Sequence, residues 1–519
     1  MTGKGGNFAY GRAYEGRRAA RAALALPALW EARLLEAAPG VLSWIVFLAP
    51  IWLTLVDHRL ATGFIVVAML VFVWRAGRYG ILALLNRRTI LNGMATDWLE
   101  LLLKLPEWPH YRVIFLIRAF REGNRAMLAE TLSAIYRSRW PRDGEMLRNV
   151  EVVFATEATD PITPPLVEDL AAEFRGRLRV RQILHPPEPD VLPGPSSAMH
   201  YVGRVLYREA ILRGEDPRRI LVADLDADTV VHPNYLPCLV YHYLVDPKRD
   251  RHVYQPVVLF TLDYWRAPLH SRLAAISTSA LTLGWNREPE IAFTGAAASL
   301  ALYQSVDFWP TQSHSQDSGV DLKLRMQYGS DYRVIGLPIP LKVYPVMIVG
   351  EAKGKWDRMR AYIQSFRVLF RQSARWREGP LDEFIEAMRR GRLYLSLQRL
   401  AAGLERDTLT FLPGAGFLLT KAIARAIYPE YDSSMLDTVA AVALTVISWL
   451  GLAVSWKILS QVEFVGTGKP ARRRALELLQ FWVVFSIYIP VLTALAGLRT
   501  STSYALGHRP TGHYMPTPK

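Results

Sequence analysis

The chain has 519 residues, room for roughly three or four average domains, and a net charge of +15 from 62 basic against 47 acidic residues. Hydrophobic residues make up 51%, high for a wholly soluble protein, and the single cysteine, Cys238, excludes an intrachain disulfide and any cysteine-based metal cluster. The basic balance suits nucleic acid or anionic lipid, but the basic residues are scattered among segments flanking apolar runs and form no nucleic-acid reading motif, so no nucleic-acid partner is expected.

Residues 1–40 are basic and alanine-rich and read as an amphipathic segment able to lie on a membrane surface. They make a poor signal peptide, because acids interrupt the charged region and no compact apolar core precedes a small-residue cleavage site. Two apolar runs follow, Val41 to Val56 and Leu60 to Trp74, the second extended by Ile81 to Leu85. Each run is shorter than the roughly 20 residues of a span. With their flanks they predict a transmembrane hairpin over 41–85, with Asp57-His58-Arg59 at its turn.

From Pro106 the texture changes to alternating short apolar runs and helical patterns. Strands are predicted at Tyr111 to Ile117, Val150 to Ala155, Leu178 to Leu184 and Ile220 to Ala223. Helices are predicted at Ala119 to Ser138 and His200 to Leu212. Such alternation argues for an α/β fold with a parallel sheet and crossover helices, over a domain from about 106 to 378. Residues 379–430 read as interfacial helices, with 408–427 interrupted by Pro413, Gly414 and Gly416 and either interfacial or spanning. Residues 435–459 and 476–498 read as transmembrane helices, and 499–519 as a tail.

The strongest chemical signal lies at the end of the strand Ile220 to Ala223, in Asp224, Asp226 and Asp228. Ligands of open α/β sheets sit beyond the carboxyl ends of the strands. Two carboxylates spaced i, i+2 there suit one Mg²⁺ or Mn²⁺ whose shell substrate phosphates complete; the plain alternative is a solvated acidic loop. Asp317, at a predicted helix start in HSQDSGVDLKLRMQYG, reads either as a helix cap or as a base taking a proton from a substrate hydroxyl. The small residues of Phe293 to Tyr303, with Thr294 and Gly295, admit close approach of a ligand or tight packing. Gln372, Arg375 and Trp376 offer planar donors to a diphosphate and a flat face to a sugar ring, or form part of a basic amphipathic helix.

In order, Glu157 in VVFATEATD, Asp226-Ala-Asp228, Gln316-Asp317 and Gln372-Ser-Ala-Arg375-Trp376 resemble the motifs of the membrane-bound family 2 glycosyltransferases, the group of cellulose, hyaluronan and chitin synthases. QxxRW is the most specific of them. The resemblance covers residues 106–378 closely and the flanking helices in layout only. It departs in having Glu157 for an aspartate, Gln316 for a glutamate, and Arg118-Ala-Phe-Arg-Glu122 in place of the usual opening.

The resemblance implies a Rossmann-like GT-A domain inserted between the transmembrane helices of a multi-pass protein of the cell membrane, with the domain in the cytoplasm. It implies an inverting, metal-dependent hexosyltransferase that moves sugar from a nucleotide donor, a UDP-sugar above all, to a growing polysaccharide. Glu157 would lie near the base and ribose. Asp226 and Asp228 would hold Mg²⁺ or Mn²⁺ and the diphosphate. Asp317 would be the base, and Gln372, Arg375 and Trp376 would hold diphosphate and acceptor beside Thr294 and Gly295. A gating loop is matched by the tail, Tyr514, Thr517 and Lys519, and less well by Phe464 to Lys469. The alternatives are single transfer to a lipid acceptor and a catalytically degenerate membrane scaffold. Self-association is left open.

Overall fold

The computed structural model describes residues 26–458 apart from 189–190, 192–193, 288, 290–291, 312–315, 347–353 and 405–415, and residues 492–507. The sequence-matched loops at 464–469 and 514–519, and most of the span expected at 476–498, lie outside the described residues.

Ten strands are described: β1 Arg112–Arg118, β2 Arg142–Asp143, β3 Met146–Leu147, β4 Val150–Glu157, β5 Arg179–His185, β6 Ile220–Asp226, β7 Val230–Val231, β8 His252–Leu259, β9 Ala297–Ser299 and β10 Arg333–Lys342. β2 and β3 form a small ribbon, and the others one sheet in the order β5-β4-β1-β6-β9-β8-β10-β7. The wing β5-β4-β1-β6 is parallel, as the alternation of strand and helix predicts. The expectation of a wholly parallel sheet is corrected by β9, antiparallel to both β6 and β8, and by β7, antiparallel to β10. β9 is a run of Ala297, Ala298 and Ser299, whose small side chains carry no strand signal in the sequence.

β1 is apolar from Val113 to Ile117 because both its faces are covered there. Val113, Phe115 and Ile117 point into one core, with Leu128, Leu132 and Phe154. Ile114 and Leu116 point into the other, with Met199, Val202 and Trp309. The helix expected from Ala119 begins only at Arg125, where the Asn124 side chain accepts from the Met127 N–H. Residues 119–124 form a loop at the carboxyl end of β1.

Two helices among the described residues are long and apolar enough to cross a membrane, His58–Ala95 and Ser434–Lys457. A third candidate is a bent pair, Arg33–Phe47 and Ala49–Val56, meeting at 54°. Pro50 in the first turn of the second member explains the break, since proline is tolerated at a helix start and not inside one. The second arm of the expected hairpin does not stop at 85. It runs on to Ala95 and docks on the sheet, where a Cβ on Gly93 would fall on the Pro338 backbone. Asn86 donates to the carbonyls of Leu283 and Gly284 on the way. The residues Phe417–Ile427, part of the doubtful span, form an 11-residue helix, about half the length a crossing needs.

The expected boundary at 378 falls inside one continuous helix, Lys355–Arg389. Gly379-Pro380 reads as a breaker, and a proline inside a helix costs about 3 kcal/mol. Burial of Leu381, Phe384 and Ile385 against Tyr504 holds the helix through it. The helix Leu393–Leu404 then folds back on it.

Candidate active site

The carboxyl ends of β4, β1 and β6 lie side by side, and the acidic residues stand there. β6 extends past Ala223 to Asp226, so Asp224 and Asp226 are strand residues. Between them and Asp317 sits Arg118, the last residue of β1. Its Nε donates to Asp226 Oδ1 at 2.7 Å, and its Nη1 donates to both Asp224 oxygens at 2.9 Å and to Asp317 Oδ1 at 2.8 Å. The Arg118 and Asp224 side chains are nearly fully buried; those of Asp226 and Asp317 are 36% and 25% exposed. The cluster is therefore walled by protein and open at Asp226 and Asp317.

Burial alone would depress the Arg118 guanidinium, but Asp224, Asp226 and Asp317 more than offset it and hold it well above its ordinary value. Burial raises the Asp224 carboxyl well above the usual carboxylate range; Arg118 opposes this, while Asp317 and Asp226 add to it. Asp317 is also raised by burial, with Arg118 opposing and Asp226 reinforcing. Removing one member of a buried ion cluster leaves uncompensated charge. Arg118→Met should thus cost about 3–5 kcal/mol of stability, and more at neutral pH than near pH 5, where the carboxyls can take up protons. Chemical unfolding at both pH values checks this; equal, small losses would contradict it.

Asp228 is buried, and its Oδ2 accepts the Tyr344 N–H at 3.2 Å. The Asp226 N–H donates to Thr294 Oγ1 at 2.9 Å. Among the described residues no group of three or more His, Cys, Asp or Glu is gathered for a metal ion. What Asp226 and Asp228 offer is two hard oxygen donors, which fits a Mg²⁺- or Mn²⁺-type ion whose remaining ligands come from substrate phosphate and water.

The neighbouring loops are tied down. Asp160 accepts from the N–H groups of Arg121 and Ile162 and from the Thr163 hydroxyl, joining the loop after β1 to the loop after β4. Arg121 is held in the left-handed region, at φ 54°. Such strain in a non-glycine residue persists only where its surroundings impose it. Glu157 is 2% exposed. Its oxygens are engaged by His185 Nδ1 at 2.8 Å and the Gly194 N–H at 3.0 Å, which tie Gly194 to the ends of β4 and β5.

Thr294 and Gly295 lie under the cluster. Gly295 has φ +85°, donates to the Asp224 carbonyl, and has no room for a Cβ against Leu341 and Pro256. Together with Thr294 it sets the backbone of Asp224 and Asp226, the tight-packing side of the expectation for this segment.

Gln372, Arg375 and Trp376 lie on the helix Lys355–Arg389, which packs against the Asp317 helix, Gln316–Tyr328. Trp376 is 41% exposed. Tyr514, Thr517 and Lys519 are outside the described residues.

Sequence reasoning placed Asp226 and Asp317 at one site and missed the residue that joins them. Arg118 figured only as a departure from a familiar opening. Its position as the last residue of a strand in the ligand-facing row was the available signal.

No protein-family model and no curated protein matches this sequence. Among solved structures, the chain is similar to the mannosyltransferase PcManGT from Pyrobaculum calidifontis in complex with GDP-Man and Mn²⁺, at 20% identity and a TM-score of 0.40, over 74% of this chain and 100% of that one. At that TM-score the likeness is too slight to bear on function.

Proposed function

We propose that this protein is a membrane-associated, inverting glycosyltransferase of the GT-A type. It transfers a hexose from a nucleotide sugar, with UDP-sugars the first donors to test, to the hydroxyl of a growing polysaccharide at the membrane. The observation that carries the reading is the convergence of Asp226 and Asp317 on Arg118 at the carboxyl ends of the parallel strands. That arrangement sets a diphosphate-facing carboxylate beside a second carboxylate able to act on an acceptor.

Asp317 removes the acceptor proton as that oxygen attacks the anomeric carbon from the face opposite the diphosphate. Displacement from that side inverts the configuration and needs no second nucleophile. Asp226 and Asp228 would hold Mg²⁺ or Mn²⁺, which when bound supplies positive charge to the leaving diphosphate. Arg375 adds planar donors there, since arginine suits bidentate phosphate contact. Gln372 and Trp376 hold diphosphate and acceptor. Glu157 acts through His185 and Gly194 to shape the nucleoside pocket. The reading places the apolar helices in the cell membrane and the sheet in the cytoplasm.

The test is a screen of detergent-purified protein against nucleotide sugars, reading released nucleoside diphosphate. Turnover of one donor supports the reading, and turnover of none contradicts it. Product length then separates polymer growth from single transfer to a lipid.

A base acts in its ionised form. Because burial raises Asp317, turnover should fall with decreasing pH at a midpoint above the ordinary carboxylate value of about 4. The pH dependence of kcat checks this, and an acid limb at or below that value contradicts it.

A further inference from the structure

One turn beyond Asp317 on the same helix, Asp321 is fully buried. It accepts from the Tyr332 hydroxyl at 2.7 Å and from Arg325 Nε at 2.7 Å. Arg399, on the helix Leu393–Leu404, reaches into the same pocket. Its Nη2 lies 3.8 Å from Asp321 Oδ2, and its Nε lies 2.8 Å from Glu383 Oε2. Glu383 belongs to the helix that carries Gln372, Arg375 and Trp376, and it also takes a hydrogen bond from Ser318, the neighbour of Asp317. Three helices thus meet on one buried ion cluster, and two of them bear the two halves of the candidate site.

We infer that Arg399 and Glu383 are positioning residues, which fix the Asp317 helix against the Arg375–Trp376 helix and so set the base relative to the donor. The inference rests on the reading of Asp317 as the base. Both residues act through the helix. Glu383 is 2% exposed and Arg399 has a side chain 16% exposed, so the contact is largely withdrawn from water. Burial lifts the Glu383 carboxyl to about 7, with Arg399 opposing and Asp321 reinforcing. Removing one member of a pair so desolvated leaves the other buried without its compensating partner, which destabilises the contact. Displacing a base by about 1 Å from a distance can cost about 10²-fold in rate.

The experiment uses full-length protein in detergent. Arg399→Met should lower kcat by about 10- to 100-fold while donor KM stays within about threefold. Arg399→Lys should recover part of the loss. On an Asp317→Asn background, Arg399→Met should add less than about a twofold further loss, because residues acting through one group are not additive. A full multiplicative loss on that background overturns the inference, as does a change in KM alone. Hydrogen exchange provides an arm that does not need sugar transfer. The amides of Val320 to Leu324, the first with acceptors inside the Gln316–Tyr328 helix, should exchange about tenfold faster in the variant, with β6 unchanged. Unchanged protection there overturns the inference even if the donor screen finds no substrate. Should Arg399→Met fail to fold, Glu383→Gln tests the same contact with a near-isosteric side chain at a pH about two units above the Glu383 value of about 7, where the wild-type carboxyl is ionised; wild-type exchange and kcat in that variant there would overturn it.

Discussion

Asp317→Asn is expected to cut turnover by about 10²–10⁴-fold, the usual worth of a positioned base, while donor affinity and melting temperature stay near wild type. The structure makes this substitution clean. The Asp317 Oδ1 accepts one hydrogen bond from Arg118, and an Asn carbonyl oxygen can accept the same bond. Asp317 also lies in the first turn of its helix, where a carboxylate meets the helix dipole favourably. A purely dipole-stabilising or capping role would lose only a few tenths of a kcal/mol, and Asn caps about as well as Asp. Turnover, donor binding and melting of one variant therefore separate the two roles. Near-normal turnover would reduce Asp317 to a helix-end residue.

Asp226→Asn and Asp228→Asn should each abolish detectable transfer, and should weaken donor binding only when Mg²⁺ or Mn²⁺ is present. On the proposed reading, each removes one of the two hard anionic donors assigned to the metal. The two variants should differ in stability. Asp226 is one of three carboxylates on Arg118 and is partly exposed, whereas Asp228 is buried and accepts from Tyr344. Asp228→Asn should therefore lower the melting temperature more. Isothermal titration with and without EDTA, together with thermal melts, checks both claims. EDTA-insensitive transfer would contradict the metal role and leave Asp226 as a partner of Arg118 alone.

The parallel wing was legible because β1, β4 and β6 are largely buried on both faces: Val113 to Ile117 and Ile220 to Ala223 read as unbroken apolar runs, and Val150 to Ala155 as one interrupted only by Glu151. The site was legible where its chemistry clusters along the chain, as at Asp224, Asp226 and Asp228. It was not legible where partners are remote: Arg118 meets Asp224 across 106 residues and Asp317 across 199. A local reading sees in Arg118 only a charge at a strand end. β9 escaped because alanine and serine favour no strand, and its place follows from Gly295 turning the chain beneath β6. The helix through Gly379-Pro380 escaped because tertiary burial of Phe384 and Ile385 outweighs a local breaker. Arg399 and Glu383 escaped for the same reason as Arg118, since the pair exists only once three helices have packed.

The most direct test of the central claim is proton NMR of the reaction itself, with purified protein, an α-linked nucleotide sugar from the donor screen and an acceptor. The account predicts loss of the donor's α-anomeric signal and growth of a β-anomeric signal in the product, at a rate abolished by Asp317→Asn. An α-linked product, or a β-linked product formed equally well by the Asp317→Asn variant, would contradict it.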